Sequence, residues 1–133
     1  MLAYEFKWSI LWEAPYGAWM LAGIWTTVKL GLICWVLALL IGIVIGTMRV
    51  TPWRPVRTLA AVYTEIFRDI PLLVQLFFWY FAAPMILPKP MAMFIYRGIP
   101  NSEFWIVVIG LSLYTSSRVA EQIRSGLQSI SPD

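Results

Sequence analysis

Arg118 carries more chemical potential than any other residue in this chain of 133. It stands inside an apolar run, Phe104 to Ala120, and a guanidinium at the centre of a bilayer costs about 2.5–3.5 kcal/mol and rarely faces lipid. Its position toward the end of the run softens that cost. Thr115, Glu121 and Gln122 lie three and four residues away, on the same side of one helix. Two readings follow. Arg118 can pair with Glu121 and shield its charge at the interface, or it can offer its forked donors to a carboxylate ligand. Both stay open, because a paired guanidinium keeps donors to spare. Gln122 is a second polar candidate at this end.

Gln75 is the one strongly polar group between Leu72 and Leu87. It can contact a polar substrate, or more simply bond to nearby backbone or a neighbouring helix. Glu65 and Arg68, three residues apart, read as a surface ion pair of small energetic value that, with Glu121, organises one end of the helices. Met85, Met91 and Met93 have no Cys or His nearby and read as packing residues rather than a soft-metal site. The chain has no histidine, and its single cysteine, Cys34, lies in an apolar run. Imidazole catalysis, an internal disulfide and a zinc site are thereby excluded. No phosphate-binding loop and no nucleophile–base pair appears, so the chain reads as no enzyme.

The elements that must hold these residues are set by composition. Hydrophobic residues make up 60% of the chain and charged ones 13%, about half the charged share of an ordinary soluble domain. Lipid is the expected solvent. A net charge of +3 is too small to argue for nucleic acid. Residues 1–20, with Tyr4, Trp8, Trp12, Tyr16 and Trp19, read as an interfacial segment rather than a signal peptide. Spans are expected at about 21–48, 71–87 and 104–120. In the first, Ala38, Gly42 and Gly46 recur every four residues and offer a stripe for close helix packing. Lys29 sits within it and is read as snorkelling to the rim.

Residues 47–57 read as a loop, 59–68 as a short surface helix, and 89–103 as a second loop. Asp69 is expected to cap the helix that starts at Pro71, and Pro84 to kink that helix near its far end. Arg49, Arg54, Arg57 and Arg68 outweigh Lys89 and Arg97 in the second loop. The first loop is therefore cytoplasmic, the N-terminus faces out and the C-terminal tail faces in.

Three stretches carry a resemblance: GIWTTVKL through IGTMR, the seam YTEIFRDIPLLVQLFFWY, and LYTSSRVAEQIRSGLQSIS. Together they resemble the membrane-spanning permease subunits of ABC importers for polar amino acids, over nearly the whole chain. An arginine at 118, where such subunits more usually carry tyrosine or another uncharged residue, and the N-terminal APYG resemble the glutamate/aspartate branch. The resemblance implies an all-α polytopic fold, three helices of a type I importer's membrane domain, in the bacterial inner membrane. It implies alternating access and these partners: a second permease subunit, cytoplasmic ATP-binding subunits that bind the ATP, and a periplasmic amino-acid-binding protein. No cofactor is implied for the chain itself. Arg118, with Gln122 and Gln75, would line the substrate pathway.

Subunits of this kind continue into a Glu-Ala-Ala coupling loop and two further spans. A chain that stops at Asp133 is expected to be an N-terminal fragment, inactive without them. The alternative is a small autonomous membrane protein that acts by helix–helix contact.

Overall fold

The structure, a computed structural model, describes residues 5–130; Tyr4 and the end of the chain at Asp133 lie outside the described residues. Two compact units share the chain, residues 1–32 and 33–133. In the first, one 3₁₀ turn at Trp8–Leu11 precedes helix α1, Tyr16–Met48. Phe6 stacks on Trp8 at 5.8 Å, and Trp8, Trp12 and Trp19 are exposed, as aromatic rings at a lipid–water interface would be.

The helix α1 is five residues longer at its start than the expected first span. Among the described residues it is the one single helix both long and apolar enough to cross a membrane. The second unit holds the later part of α1 with α2 (Arg54–Asp69), α3 (Leu72–Phe77), a π turn (Phe78–Ala82) and α4 (Ala83–Ile86). It continues with α5 (Lys89–Met93), a second π turn (Phe94–Gly98) and α6 (Ser102–Ser129). No strand occurs among the described residues, so the all-α expectation holds.

Several local expectations change. Residues 89–98, expected as loop, are helical. Asp69 does not cap the helix after the seam. Pro71 itself holds the cap position, with no side-chain cap bond. Pro84 falls behind a full π turn rather than a simple kink. Proline has no N–H to return to the carbonyl of Tyr80 four residues earlier, and that carbonyl accepts the hydroxyl of Tyr96.

The seam is a break with a definite cause. A residue before proline is pushed out of the helical region, and Ile70 is extended, with φ −89° and ψ 127°. The arms α2 and α3–α4 consequently meet at 102°.

Small residues decide how the helices of this unit approach one another. Cys34 lies against the Val108 carbonyl (3.8 Å). A Cβ on Gly42 would meet Val119 and the Ser116 carbonyl, and one on Gly46 would meet Ala120 and Ile123. Numbers rise together on both helices, so α1 and α6 run parallel. On α6 the matching surface is equally small: Ser112, Ser116 and Ala120 are buried. On another side of α6, a Cβ on Gly110 would meet Leu76 of α3 and Trp79 of the π turn.

The helix α2 is amphipathic and lays Ala60 and Thr64 inward. Its Tyr63 hydroxyl bonds with Ser116 Oγ at 2.7 Å. Tyr63→Phe is expected to lower stability by about 0.5–1.5 kcal/mol, the worth of one such bond. Unfolding titration in mixed micelles checks it, with Tyr16→Phe, at an exposed position, as the reference.

Candidate functional site

At the far end of α6 the chain gathers its charge. Glu121 is the hub. Its Oε2 lies 3.1 Å from Arg49 Nη1 and 3.7 Å from Arg68 Nη1, and its Oε1 accepts from Arg124 Nη2. Arg124 Nε reaches Oε2 as well, at 3.1 Å, making the paired contact for which a guanidinium fork is shaped. Three elements are joined by one carboxylate: the residue after α1, the last turn of α2, and α6. Hydrogen bonds from Arg124, then the charges of Arg124, Arg49 and Arg68, hold the Glu121 carboxyl below the usual carboxylate range against the opposing effect of partial burial.

Arg118 does not pair with Glu121. It points to the preceding turn, where Nη2 donates to the Tyr114 hydroxyl at 2.6 Å and the guanidinium lies 5.0 Å from the centre of that ring. The three other arginines saturate Glu121, and the Tyr114 ring offers Arg118 a cation–π contact one turn away. Arg68, likewise, turns to Glu121 rather than to Glu65. Glu65 is exposed and has no ion pair among the described residues.

Arg68, Arg118, Glu121, Gln122 and Ser125 line one polar pocket of about 390 Å³. Of the residues singled out by sequence, it brings together Arg118 and Gln122 with Arg68 and Glu121. Three guanidiniums meet the Glu121 carboxylate, Arg118 lines the same pocket, and Arg49 Nε is buried without a hydrogen-bond partner. Such a surplus of donors suits an anion, above all a carboxylate.

Gln75 lies elsewhere, at the seam. It is 5% exposed. Its Nε2 donates to the carbonyls of Phe67 (2.9 Å) and Ile70 (2.8 Å). The reason is local: the carbonyl of Phe67 would take the N–H of residue 71, and residue 71 is proline. A glutamine one turn past the proline reaches back and supplies the missing donor. Its Oε1 is buried without a hydrogen-bond partner. Glu65 and the stripe Ala38–Gly42–Gly46 stand apart from both places, the stripe lying in the α1–α6 contact.

Sequence reasoning missed the partners. Arg49 is 72 residues from Glu121, and no spacing rule connects them. Tyr114, at i−4 from Arg118, and Arg124, at i+3 from Glu121, were visible by helical spacing alone.

No family model matches the chain. Among curated proteins it is 34% identical, over 137 aligned positions, to the glutamate/aspartate import permease protein GltJ of Escherichia coli K12. That match covers 97% of this chain and 56% of the relative. It is 32% identical to the arginine transport system permease protein ArtQ of Bacillus subtilis, covering 87% of this chain and 48% of the relative. In fold it is similar to a crystal structure of an amino acid ABC transporter with histidines. The TM-score is 0.72 at 28% identity, over 96% of this chain and 54% of that one. The chain spans about half the length of the curated relatives it matches. Sequence and fold thus agree over nearly all of its residues: the chain is similar to the permeases of amino-acid ABC transporters along about half of their length.

Proposed function

We propose that the chain is the membrane-spanning part of an ATP-driven importer that carries acidic amino acids, glutamate or aspartate, across the bacterial inner membrane. The observation that carries the substrate class is the arginine-rich polar pocket, with Arg68 and Arg118 on its wall beside Gln122 and Ser125. A bidentate cation is the group a side-chain carboxylate selects. The relative that imports glutamate and aspartate supports the same class; a relative that transports arginine makes the test worth doing.

In this reading the chain crosses the membrane at about 21–48, 71–87 and 104–120, with its N-terminus periplasmic and its C-terminal end cytoplasmic. The parallel run of α1 and α6 supports it, since first and third spans must cross in one direction. A second permease subunit completes the pathway, a periplasmic binding protein delivers the substrate, and cytoplasmic subunits bind and hydrolyse ATP. Helix packing then switches the site between faces.

Arg118→Tyr in the assembled transporter is expected to lower acidic amino-acid uptake by roughly ten- to a hundredfold, the worth of one charge-assisted bond. Radiolabelled glutamate uptake into proteoliposomes measures it. Unchanged uptake and unchanged preference over neutral amino acids would remove Arg118 from the pathway.

A further inference from the structure

The helix α2 has three sides, and only one is spent inside the chain. Ala60 and Thr64 are buried and lay that side against α6. A second side carries Arg54, Arg57, Glu65 and Arg68, three, eight and three residues apart, spacings that return to one helix face. The third carries Leu59, Val62 and Ile66, three and four apart, which are 66%, 48% and 49% exposed. An apolar ridge of this kind marks a surface that something covers.

Contacts with α6 show which way the two outer sides face. Leu59 and Ile66 lie one turn to either side of Tyr63, whose hydroxyl meets Ser116 Oγ at 2.7 Å and the Leu113 carbonyl at 3.4 Å. On the charged side, Arg68 meets Glu121. From Leu113 to Glu121 is about 12 Å at 1.5 Å per residue, the width of one helix. The helix α2 therefore lies across α6. Its apolar side looks up α6 into the apolar run, and its charged side looks toward the Glu121 cluster. The 102° break at the seam agrees: with α3–α4 crossing the bilayer, α2 lies close to the membrane plane.

We propose that α2 is seated in the leaflet at the Glu121 end of the spans and binds anionic lipid there. Leu59, Val62 and Ile66 enter the acyl chains, and Arg54 and Arg57 hold the headgroup phosphates, as in an interfacial amphipathic helix. The order of the two sides, apolar toward the middle of the spans and cationic toward their end, is the polarity order of a leaflet. The charge selects the lipid. Arg68 is committed to Glu121, but Arg54 and Arg57 are exposed and make no ion pair among the described residues. Arg57 spends one N–H on the Thr51 carbonyl, at 3.3 Å, and keeps donors to spare. Glu65 and Asp69 stand two turns or more away along α2, so its first turn is positive and attracts lipid of opposite charge. Trp53, exposed just before that turn, suits the same interfacial level. The inference rests on the spanning reading of the chain and on no particular substrate.

Nitroxide labels on single cysteines test the seat, in the transporter assembled with this chain, carrying Cys34→Ala, in nanodiscs of phosphatidylglycerol and phosphatidylcholine. Oxygen concentrates in hydrocarbon and a nickel chelate stays in water. Labels at Leu59→Cys and Val62→Cys are expected to meet oxygen at least about threefold more than the chelate, and one at Glu65→Cys the reverse. A ridge open to the chelate lies in water, and one closed to both reagents is covered by protein; either result overturns the lipid seat. Leu40→Cys, at an exposed position of α1, tests the spanning reading separately, which fails if the chelate reaches it. For the headgroups, photoreactive phosphatidylglycerol should label residues 54–68 at least about threefold more than the matching phosphatidylcholine, as read by peptide mass spectrometry. Arg54→Gln with Arg57→Gln should bring the two lipids to near parity in that stretch. Equal labelling by both lipids in the wild type, or a ratio that the double variant leaves unchanged, overturns the headgroup contact.

Discussion

Gly46→Leu is expected to drive α1 and α6 apart and to be the most damaging single substitution among the described residues. Even a Cβ at 46 would lie 2.8 Å from the carbonyl oxygen of Ala120 and 2.7 Å from Ile123 Cβ. The first of these is backbone, which cannot turn aside. Overpacking of this kind costs about 1–3 kcal/mol for the smallest intrusions, so Gly46→Ala should already fall in that range, and leucine above it. Better helix propensity gives alanine back only about 0.5–1 kcal/mol. The control is Gly23→Ala in the first unit, where a Cβ meets nothing within 4 Å, and where the propensity gain should show alone. Unfolding free energies in mixed micelles, followed by far-UV circular dichroism, separate the two. Equal stability of Gly46→Leu and the wild type would mean that the two helices do not pack through this stripe.

Removing the charge of Glu121 is the second large effect. Glu121→Gln leaves Arg49, Arg68 and Arg124 crowded without a counter-charge. Breaking a fully buried pair costs about 3–5 kcal/mol and a surface pair at most about 1. With the Glu121 side chain 22% exposed, an intermediate loss of about 2 kcal/mol is expected. Arg49→Met in the same chain should recover part of it, because Arg49 is the least exposed of the three arginines at 16%.

Acid should act in the same direction. The Glu121 carboxyl is held below its ordinary value by Arg124 first and then by the other arginines. A depressed folded value contributes stability that is present above the unfolded pKa and lost as pH falls through the folded one. The wild type should therefore lose stability below about pH 4, near the ordinary glutamate value, and Glu121→Gln should lose less over the same interval. Parallel acid curves for the two proteins would show that the cluster contributes nothing at this position.

What was legible in the sequence was legible for one-dimensional reasons. The apolar runs and the proline at 71 determined where helices form and where they break, since both depend on a residue and its near neighbours along the chain. The stripe at Ala38, Gly42 and Gly46 announced a close approach because spacing by four places small residues on one helix face. The helical nature of residues 89–98 was not legible: Pro88 and Pro90 suggest a loop, yet a proline at the start of a helix surrenders no bond, and α5 starts at Lys89.

The site divides along the same line. Sequence alone marked Arg118, Gln122 and Gln75 as polar groups in apolar surroundings, because their cost in lipid is a property of the residue. It could not say what each one touches. Glu121 stood three residues from Arg118 and just as close to Arg124, and helical spacing is indifferent between them. Tertiary structure settled it by bringing Arg49, just past α1, and Arg68, from α2, to the same carboxylate, so that Arg118 was left for Tyr114. For Gln75 the sequence determined the need, a carbonyl orphaned by Pro71. Only the folded chain, with α3 bent away from α2 by 102°, decided that the amide nitrogen meets that need while its oxygen is buried without a hydrogen-bond partner.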